Sequence, residues 1–131
     1  MVFGVFDRLH PGHLSFLKQA ATFGEELIVV IARDSSVKEL KNKIPSHNEK
    51  ERLQAIKKNP LVSCAVLGDS KLGRYGVIKK YTPDLICLGY DQKLLEEDLK
   101  RRMEGDQLPT IHFVLLRSHK PKKFHSSLLL T

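Results

Sequence analysis

Five short, continuous apolar runs are the feature of this sequence that most limits its fold. Each run is followed by a polar or helical segment. Apolar residues at successive positions, rather than at alternate ones, indicate strands that are covered on both faces. The predicted strands are Val2–Phe6, Leu27–Ala32, Val62–Leu67, Leu85–Gly89 and Ile111–Leu115.

Helical periodicity lies between these runs. The predicted helices begin near Pro11, Ser46, Tyr75 and Gln92 and end near Phe23, Lys58, Tyr81 and Met103. Proline suits a first helical turn, and the Ser46-x-x-Glu49 pattern is typical of a capping box. The alternation of strands and helices predicts an α/β protein, a single Rossmann-like, doubly wound domain with a five-stranded parallel sheet over residues 1–131.

Charge and hydropathy narrow the choice of partners. The net charge of +7 makes nucleic acid a candidate, but the Lys and Arg residues are dispersed and few aromatic residues lie among them. Such a distribution favours solvated helix faces and a small polyanionic substrate, so we predict no nucleic acid partner. No apolar run is long enough to span a membrane, and no leader pattern is present, so we predict a cytoplasmic protein without a membrane partner.

Two histidines stand three residues apart where the first predicted strand gives way to a helix, in the stretch Gly4-Val5-Phe6-Asp7-Arg8-Leu9-His10-Pro11-Gly12-His13. The backbone N–H groups of a helix start favour an anion, above all a phosphate. Two imidazoles beside them add donors that can stabilise charge on phosphate oxygens. The spacing leaves a structural turn or a metal site open, but the strand-to-helix context favours a phosphate site.

Other polar residues also follow predicted strands directly. Arg33 and Asp34 follow the second strand, and Asp91 and Gln92 lie just after the fourth. In a doubly wound sheet the ligand lies beyond the carboxyl ends of the strands. We therefore expect these residues to meet at one edge of the sheet.

The segment from Gly4 to His13 resembles the G-x-F-D-x-x-H-x-G-H signature of the cytidylyltransferase-like nucleotidyltransferases. Three later stretches, ARD at 32–34, GYDQ at 89–92 and FHSS at 124–127, are most similar to the archaeal FAD synthetases of that family, which transfer AMP from ATP to FMN. Two departures are visible. Val5 stands where many relatives have Thr, and Lys122 and Lys123 precede FHSS where those synthetases carry a Cys.

The resemblance implies a role for each matching residue. His10 and His13 would be catalytic and bind the α- and β-phosphates, while Asp34 and Arg52 would bind the acceptor. The nucleotide would contact these two histidines and Val5, Phe6, Lys43, Asp91, Gln92, His125, Ser126 and Ser127. Lys38 and Lys41 compete with Lys43 for its role. No metal site made by the protein is expected, and Mg²⁺ would be bound through the phosphates of the NTP.

The same resemblance implies a reaction and leaves alternatives. ATP and a phosphorylated acceptor, with FMN favoured, would give FAD and pyrophosphate. A sugar-phosphate enzyme, acting on heptose or glycerol phosphate as an adenylyl- or cytidylyltransferase, is the alternative. FHSS replaces the R-T-x-G-I-S-T-T pattern of cytidylyltransferases and argues against the glycerol-phosphate case. A non-catalytic nucleotide-binding module is a third hypothesis. Relatives suggest a homodimer, and we expect a few residues beyond each end of this sequence.

Overall fold

The structure of the chain is a computed structural model, and it describes residues 1–71 and 73–117. Five strands and five helices lie along these residues, and each strand but the last is followed by one helix or, after the second strand, by two. In chain order they are β1 Val2–Gly4, α1 Pro11–Ala21, β2 Ile28–Ile31, α2 Asp34–Lys41, α3 Glu49–Lys57, β3 Cys64–Leu67, α4 Gly76–Tyr81, β4 Leu85–Leu88, α5 Lys93–Glu104 and β5 His112–Leu115.

All five predicted strands are present, and each is shorter than predicted. β1 ends at Gly4, so Val5 and Phe6 lie outside it. Beyond it, Phe6 and Arg8 have φ angles of 55° and 52°, a left-handed conformation that no strand can contain. The motif therefore forms a loop from Val5 onward, directly after β1.

The strands form two parallel sheets rather than one, which corrects the prediction of a single five-stranded sheet. One sheet has the order β1-β2-β3 and the other consists of β4 and β5. β1 lies beside β4, and two hydrogen bonds join them: the Met1 amino group donates to the Leu85 carbonyl at 2.8 Å, and the Cys87 N–H donates to the Met1 carbonyl at 3.0 Å. The spatial order is thus 3-2-1-4-5, the order of a doubly wound fold with an opening between β1 and β4.

A side chain explains why the ladder between β1 and β4 stops. The Gln92 amide group donates to the Phe3 carbonyl at 2.8 Å, and its oxygen accepts from the Gly89 N–H at 2.9 Å. One carboxamide therefore satisfies a backbone acceptor of β1 and a backbone donor just beyond β4. The two strands separate here toward their carboxyl ends.

Helices cover both faces of the strands, which confirms the doubly wound prediction. On one face the fully buried Leu17 of α1 and Ile56 of α3 belong to one apolar cluster, and on the other Ile78 of α4 and Leu99 of α5 belong to a second. Burying each such side chain contributes about 1.5–3 kcal/mol. Within the residues that the structure describes, no helix has the length and apolar character needed to cross a bilayer.

Helix α2 was not predicted, and α3 begins later than predicted. The capping box of α3 uses Asn48 and Glu51, whose side chains each accept the other's backbone N–H. The Ser46-x-x-Glu49 box is absent because Glu49 accepts the Asp34 N–H and the Ser46 N–H donates to Asp7. Tertiary contacts therefore claim both residues of the predicted box.

Candidate active site

A cavity of about 750 Å³ lies over the carboxyl ends of the strands. Its wall includes residues that follow each of the five strands: Val5 after β1, Arg33 after β2, Gly68 after β3, Asp91 after β4 and Arg117 after β5. Of the four residues expected to meet at this edge, Arg33, Asp91 and Gln92 line the cavity and Asp34 does not. A cavity of this size is in the range that holds a small molecule.

His10 and His13 hold the start of α1 by bonding to each other's backbone. The Nδ1 atom of His10 accepts from the N–H groups of Gly12 and His13, at 3.0 and 3.4 Å, and the Nδ1 atom of His13 accepts from the His10 N–H at 3.3 Å. The rings stack with their centroids 3.7 Å apart. An Nδ1 atom that accepts a hydrogen bond carries no proton, so in each neutral ring the proton belongs to Nε2. The two rings line the cavity and each has a donor at Nε2.

The loop before this helix start is tightly constrained. Phe6 is 2% exposed despite its left-handed backbone, and its ring lies 5.6 Å from the ring of His13, centroid to centroid. A Cβ atom on Gly4 would come within 2.7 Å of the Phe6 ring, so only glycine fits there. A bulky residue at positive φ costs about 1–3 kcal/mol and persists where packing holds it in place. The buried ring of Phe6 thus packs against the ring of His13.

Asp7 connects this loop to the segment before α3. Its carboxylate accepts from the backbone N–H groups of Ser46 and His47 at 2.7 and 3.0 Å, and it lies 3.4 Å from the Nδ1 atom of His47. Burial acts to raise the pKa of Asp7, but these hydrogen bonds together lower it below its usual value. The role of Asp7 in this structure is to order the loop.

Arg52 lies inside the protein and not on the cavity wall. Its side chain is 1% exposed, and its Nη1 donates to the carbonyls of Val5 and Ala32 at 2.9 and 2.8 Å. Its Nε donates to the His47 carbonyl, and its Nη2 donates to the Asp34 carboxylate at 2.7 Å. Four of the five N–H donors of the guanidinium are thus used by protein acceptors.

This placement differs from the expected acceptor-binding role of Asp34 and Arg52. Besides Arg52, the Asp34 carboxylate accepts the Glu49 N–H at 3.2 Å, so both of its oxygens have protein partners. The physical reason is that the ends of β1 and β2 leave carbonyls that need buried donors, and Arg52 supplies them. In this structure the pair fixes the strand ends.

Lys41, rather than Lys43, lies on the cavity wall. It is the last residue of α2, and its ammonium group is attracted by the Asp91 carboxylate. Burial and the nearby Lys43 lower the pKa of Lys41, against the attraction of Asp91, and burial raises the pKa of Asp91. Of the three lysines that compete for the phosphate-binding role, Lys41 lines the cavity, and Lys38 and Lys43 do not.

Of the other residues expected to contact the nucleotide, four line the cavity and three are not described by the structure. Val5, Phe6, Asp91 and Gln92 line the cavity, although the carboxamide of Gln92 is also engaged by the strand ends. His125, Ser126 and Ser127 lie outside the described residues.

Sequence reasoning missed one wall of the cavity, which comes from the segment after β3 and from α5. The Tyr75 hydroxyl donates to the Asp98 carboxylate at 2.6 Å, and Arg101 and Arg102 pair with the same carboxylate. Burial and the Asp98 carboxylate raise the pKa of Tyr75. Asp98, Arg101 and Arg102 sit at ordinary helix spacings, so no sequence signal separated them from a solvated helix face. Beside them the wall is apolar and includes Val77, Leu94 and Leu95.

Comparison with known proteins shows the family of this chain. Residues 1–130 match the model of the cytidylyltransferase-like family. The chain is similar to the FAD synthase of Thermococcus sibiricus, with 40% identity over 103 residues that cover 76% of this chain and 70% of that protein. It is also similar to the FAD synthase of Methanosarcina barkeri, with 42% identity over 81% of this chain and 74% of that protein. Among solved structures it resembles the lipopolysaccharide core biosynthesis protein of Thermoplasma volcanium, with a TM-score of 0.82 and 37% identity, covering 92% and 96% of the two chains.

Proposed function

This chain belongs to the cytidylyltransferase-like family, and on that premise we propose that it is an FMN adenylyltransferase. It transfers AMP from ATP to FMN and forms FAD and pyrophosphate. The observation that carries the proposal is the His10–His13 pair at the start of α1, in a chain about 40% identical to FAD synthases. Both rings line the cavity, and because each Nδ1 accepts a backbone hydrogen bond, a neutral ring carries its proton on Nε2.

The reaction needs charge stabilisation more than proton transfer. A phosphate oxygen of FMN bonds to the α-phosphorus of ATP while the bond from that phosphorus to the bridging oxygen breaks, and pyrophosphate takes the electron pair. The FMN phosphate is already ionised, so no general base is required. The protein brings two anions into line and donates hydrogen bonds to the charge that develops, which is the part we assign to His10 and His13.

Mg²⁺ enters this proposal with the triphosphate. Among residues 1–71 and 73–117 no three His, Cys, Asp or Glu side chains are grouped so as to hold a metal. The triphosphate oxygens are the donor set that Mg²⁺ prefers, and the ion neutralises their charge when bound. Lys41 of α2 lines the same cavity and adds a positive charge there.

The apolar wall favours a flavin as the acceptor. Tyr75, Val77, Leu94 and Leu95 line the cavity, and Leu94 is 82% exposed, so it is available to cover a ligand. An isoalloxazine ring gains roughly 25 cal/mol for each Å² of apolar area that it buries, before the costs of association. A sugar phosphate offers little such area and needs a pocket rich in hydrogen-bonding groups.

A sugar-phosphate acceptor is the second candidate, because the similar Thermoplasma volcanium protein is described as a lipopolysaccharide core biosynthesis protein. The two are separated by incubating the purified protein with Mg²⁺, ATP and either FMN or a heptose phosphate. We expect FAD and pyrophosphate in equal amounts with FMN. Pyrophosphate release with the heptose phosphate alone would reverse the assignment.

A second measurement tests the mechanism. With ATP and Mg²⁺ but no acceptor, we expect no burst of pyrophosphate, because the acceptor phosphate is itself the nucleophile. A stoichiometric burst with AMP attached to the protein would contradict direct transfer. A cytoplasmic location and a homodimeric assembly remain predictions within the same proposal.

A further inference from the structure

Arg33 presents a guanidinium to the cavity, and we propose that this group binds the phosphate of the acceptor. The inference rests on the proposed function and assigns the acceptor phosphate to a residue other than Arg52. Arg33 is the N-cap residue of α2, directly after β2, and its side chain lines the cavity.

The guanidinium of Arg33 is held in one orientation by two neighbours. Its Nε donates to the Gly68 carbonyl at 2.7 Å, and its Nη1 lies 3.6 Å from a carboxylate oxygen of Glu49. Among the described residues, no acceptor lies within hydrogen-bond distance of its Nη2. The side chain is 36% exposed. The edge formed by Nη1 and Nη2 is therefore preoriented and accessible, which is the arrangement that binds a phosphate with two parallel hydrogen bonds.

The order of the strands indicates which substrate lies at this edge. Along the cavity the strand ends run β3, β2, β1, β4, β5, with His10 and His13 after β1 in the middle. Asp91 follows β4 and belongs to the side that we assign to the nucleotide. We therefore expect the phosphate of the acceptor to approach on the other side of the histidine pair, where Arg33 follows β2 and Gly68 follows β3.

The shape of FMN fits this direction of approach. Its phosphate and its ring are at opposite ends of a ribityl chain. Arg33 lies at the strand end next to that of the histidine pair. Tyr75 and Val77 line the same cavity, and Tyr75 lies against Phe3 of β1 and Asp98 of α5. A phosphate at Arg33 would place an oxygen toward His10 and His13 and leave the ring toward the apolar wall.

Arg52 and Arg33 are linked by a chain of acidic residues. Arg52 binds Asp34, the Asp34 N–H donates to Glu49, and the second oxygen of Glu49 faces Arg33. One arginine of the linked set is buried and the other faces the cavity. Arg52 is the buried arginine, and four of its donors are bound by protein acceptors. Arg33 is therefore the arginine of the two that offers donors to a ligand in the cavity.

The test compares FMN with riboflavin, which differ only in the phosphate. Binding is measured by flavin fluorescence in the presence of Mg²⁺ and a non-hydrolysable ATP analogue, for the wild type, Arg33→Gln and Arg33→Lys. We expect Arg33→Gln to raise the Kd of FMN about tenfold or more, as for loss of a charge-assisted hydrogen bond. The Kd of riboflavin and of the ATP analogue should change less than twofold. Arg33→Lys should lie between, because lysine keeps the charge but not the paired donors.

Arg74→Gln is the matched control, since Arg74 is exposed, lies near the same rim and is not among the described residues that line the cavity. It should leave all three constants unchanged. Equal changes for FMN and riboflavin, a change for the ATP analogue alone, or no change in Arg33→Gln would each overturn the inference. If the wild type makes FAD and one of these results is found, the proposed function stands and only the role of Arg33 fails. If the wild type neither binds FMN nor forms FAD, both fail.

Discussion

Each imidazole ring of the His10–His13 pair uses its two nitrogen atoms differently, and this allows catalysis to be separated from stability. Asparagine at either position keeps an acceptor for the backbone N–H groups but has no donor at the distance of Nε2. We expect His10→Asn and His13→Asn to lower kcat about 10²–10³-fold, as when an oxyanion donor is lost. The midpoint of urea unfolding should change little.

Alanine at the same positions is the comparison. It removes the acceptor as well, so His10→Ala should lower kcat and also cost about 1 kcal/mol of the free energy of unfolding, which is typical of a lost N-cap. Wild-type turnover in either asparagine variant would remove that histidine from the catalytic pair.

Arg52 gives a second prediction at the residue scale. Arg52→Met leaves the carbonyls of Val5 and Ala32 and the carboxylate of Asp34 without their donor. Asp34 is 37% exposed and keeps contact with water, so the loss comes chiefly from the two carbonyls, at about 1–3 kcal/mol for each buried group left unsatisfied. Urea unfolding should show this loss, while Arg74→Met, an exposed substitution, should be within about 0.5 kcal/mol of wild type. A stable Arg52→Met protein with a raised KM for FMN alone would instead restore the acceptor-binding role.

At the scale of elements, the segment between α2 and α3 depends on Asp7. The pKa of Asp7 is lowered in the folded protein, so its contribution to stability is present above the ordinary aspartate pKa of about 3.9 and is lost as the pH falls through the folded pKa. The amide proton chemical shifts of Ser46 and His47 should therefore titrate with the carboxyl group of Asp7. Their midpoint should lie below roughly 3.9, the pKa of an aspartate in an unfolded chain.

Two variants check this assignment. In Asp7→Asn the titration of both amides should disappear, and their hydrogen exchange at neutral pH should rise about tenfold. Asp106→Asn is the control, because Asp106 is exposed and its positive φ suits asparagine. Amide shifts that still titrate in Asp7→Asn would assign the effect to another group.

The starts of the first three helices show which helix boundaries local sequence patterns predict and which they do not. Pro11 marked the start of α1 correctly because the proline effect is local. The start of α3 was misplaced because the Glu49 side chain is bound by Asp34, fifteen positions earlier in the chain. Helix α2 was missed because its eight residues contain only two apolar side chains, Val37 and Leu40, too few for a periodic pattern.

At the scale of the whole molecule, Gln92 joins the two sheets at the edge where the cavity lies. Gln92→Leu keeps the volume of the side chain but leaves the Phe3 carbonyl and the Gly89 N–H without this partner. We expect a loss of about 2 kcal/mol in the free energy of unfolding, from two hydrogen bonds and the cost of unsatisfied groups. Gln54→Leu, on the exposed side of α3, is the control and should change it little. Equal stability of the two variants would show that the sheets do not depend on this contact.

The doubly wound fold was predictable from the chain because continuous apolar strands and alternating helices leave few other arrangements. The division into two sheets was not, because it depends on one glutamine side chain competing with the backbone ladder. For the site, the glycine and histidine positions after β1 were readable from local spacing. The burial of Arg52 was not, since it depends on the carbonyls of Val5 and Ala32, just past β1 and β2, which lie 47 and 20 positions away.

Because His10 and His13 cap the start of α1, the residue that evolution accepts at position 10 depends on folding as well as on chemistry. A lineage that kept this fold and gave up the chemistry would still need an acceptor at the start of α1. Selection on folding alone would then favour serine, aspartate or asparagine at position 10, since these side chains cap helices well. If the two histidines carry the proposed chemistry, selection for turnover keeps histidine at both positions, and a capping substitution at position 10 would mark the branch where that selection ended.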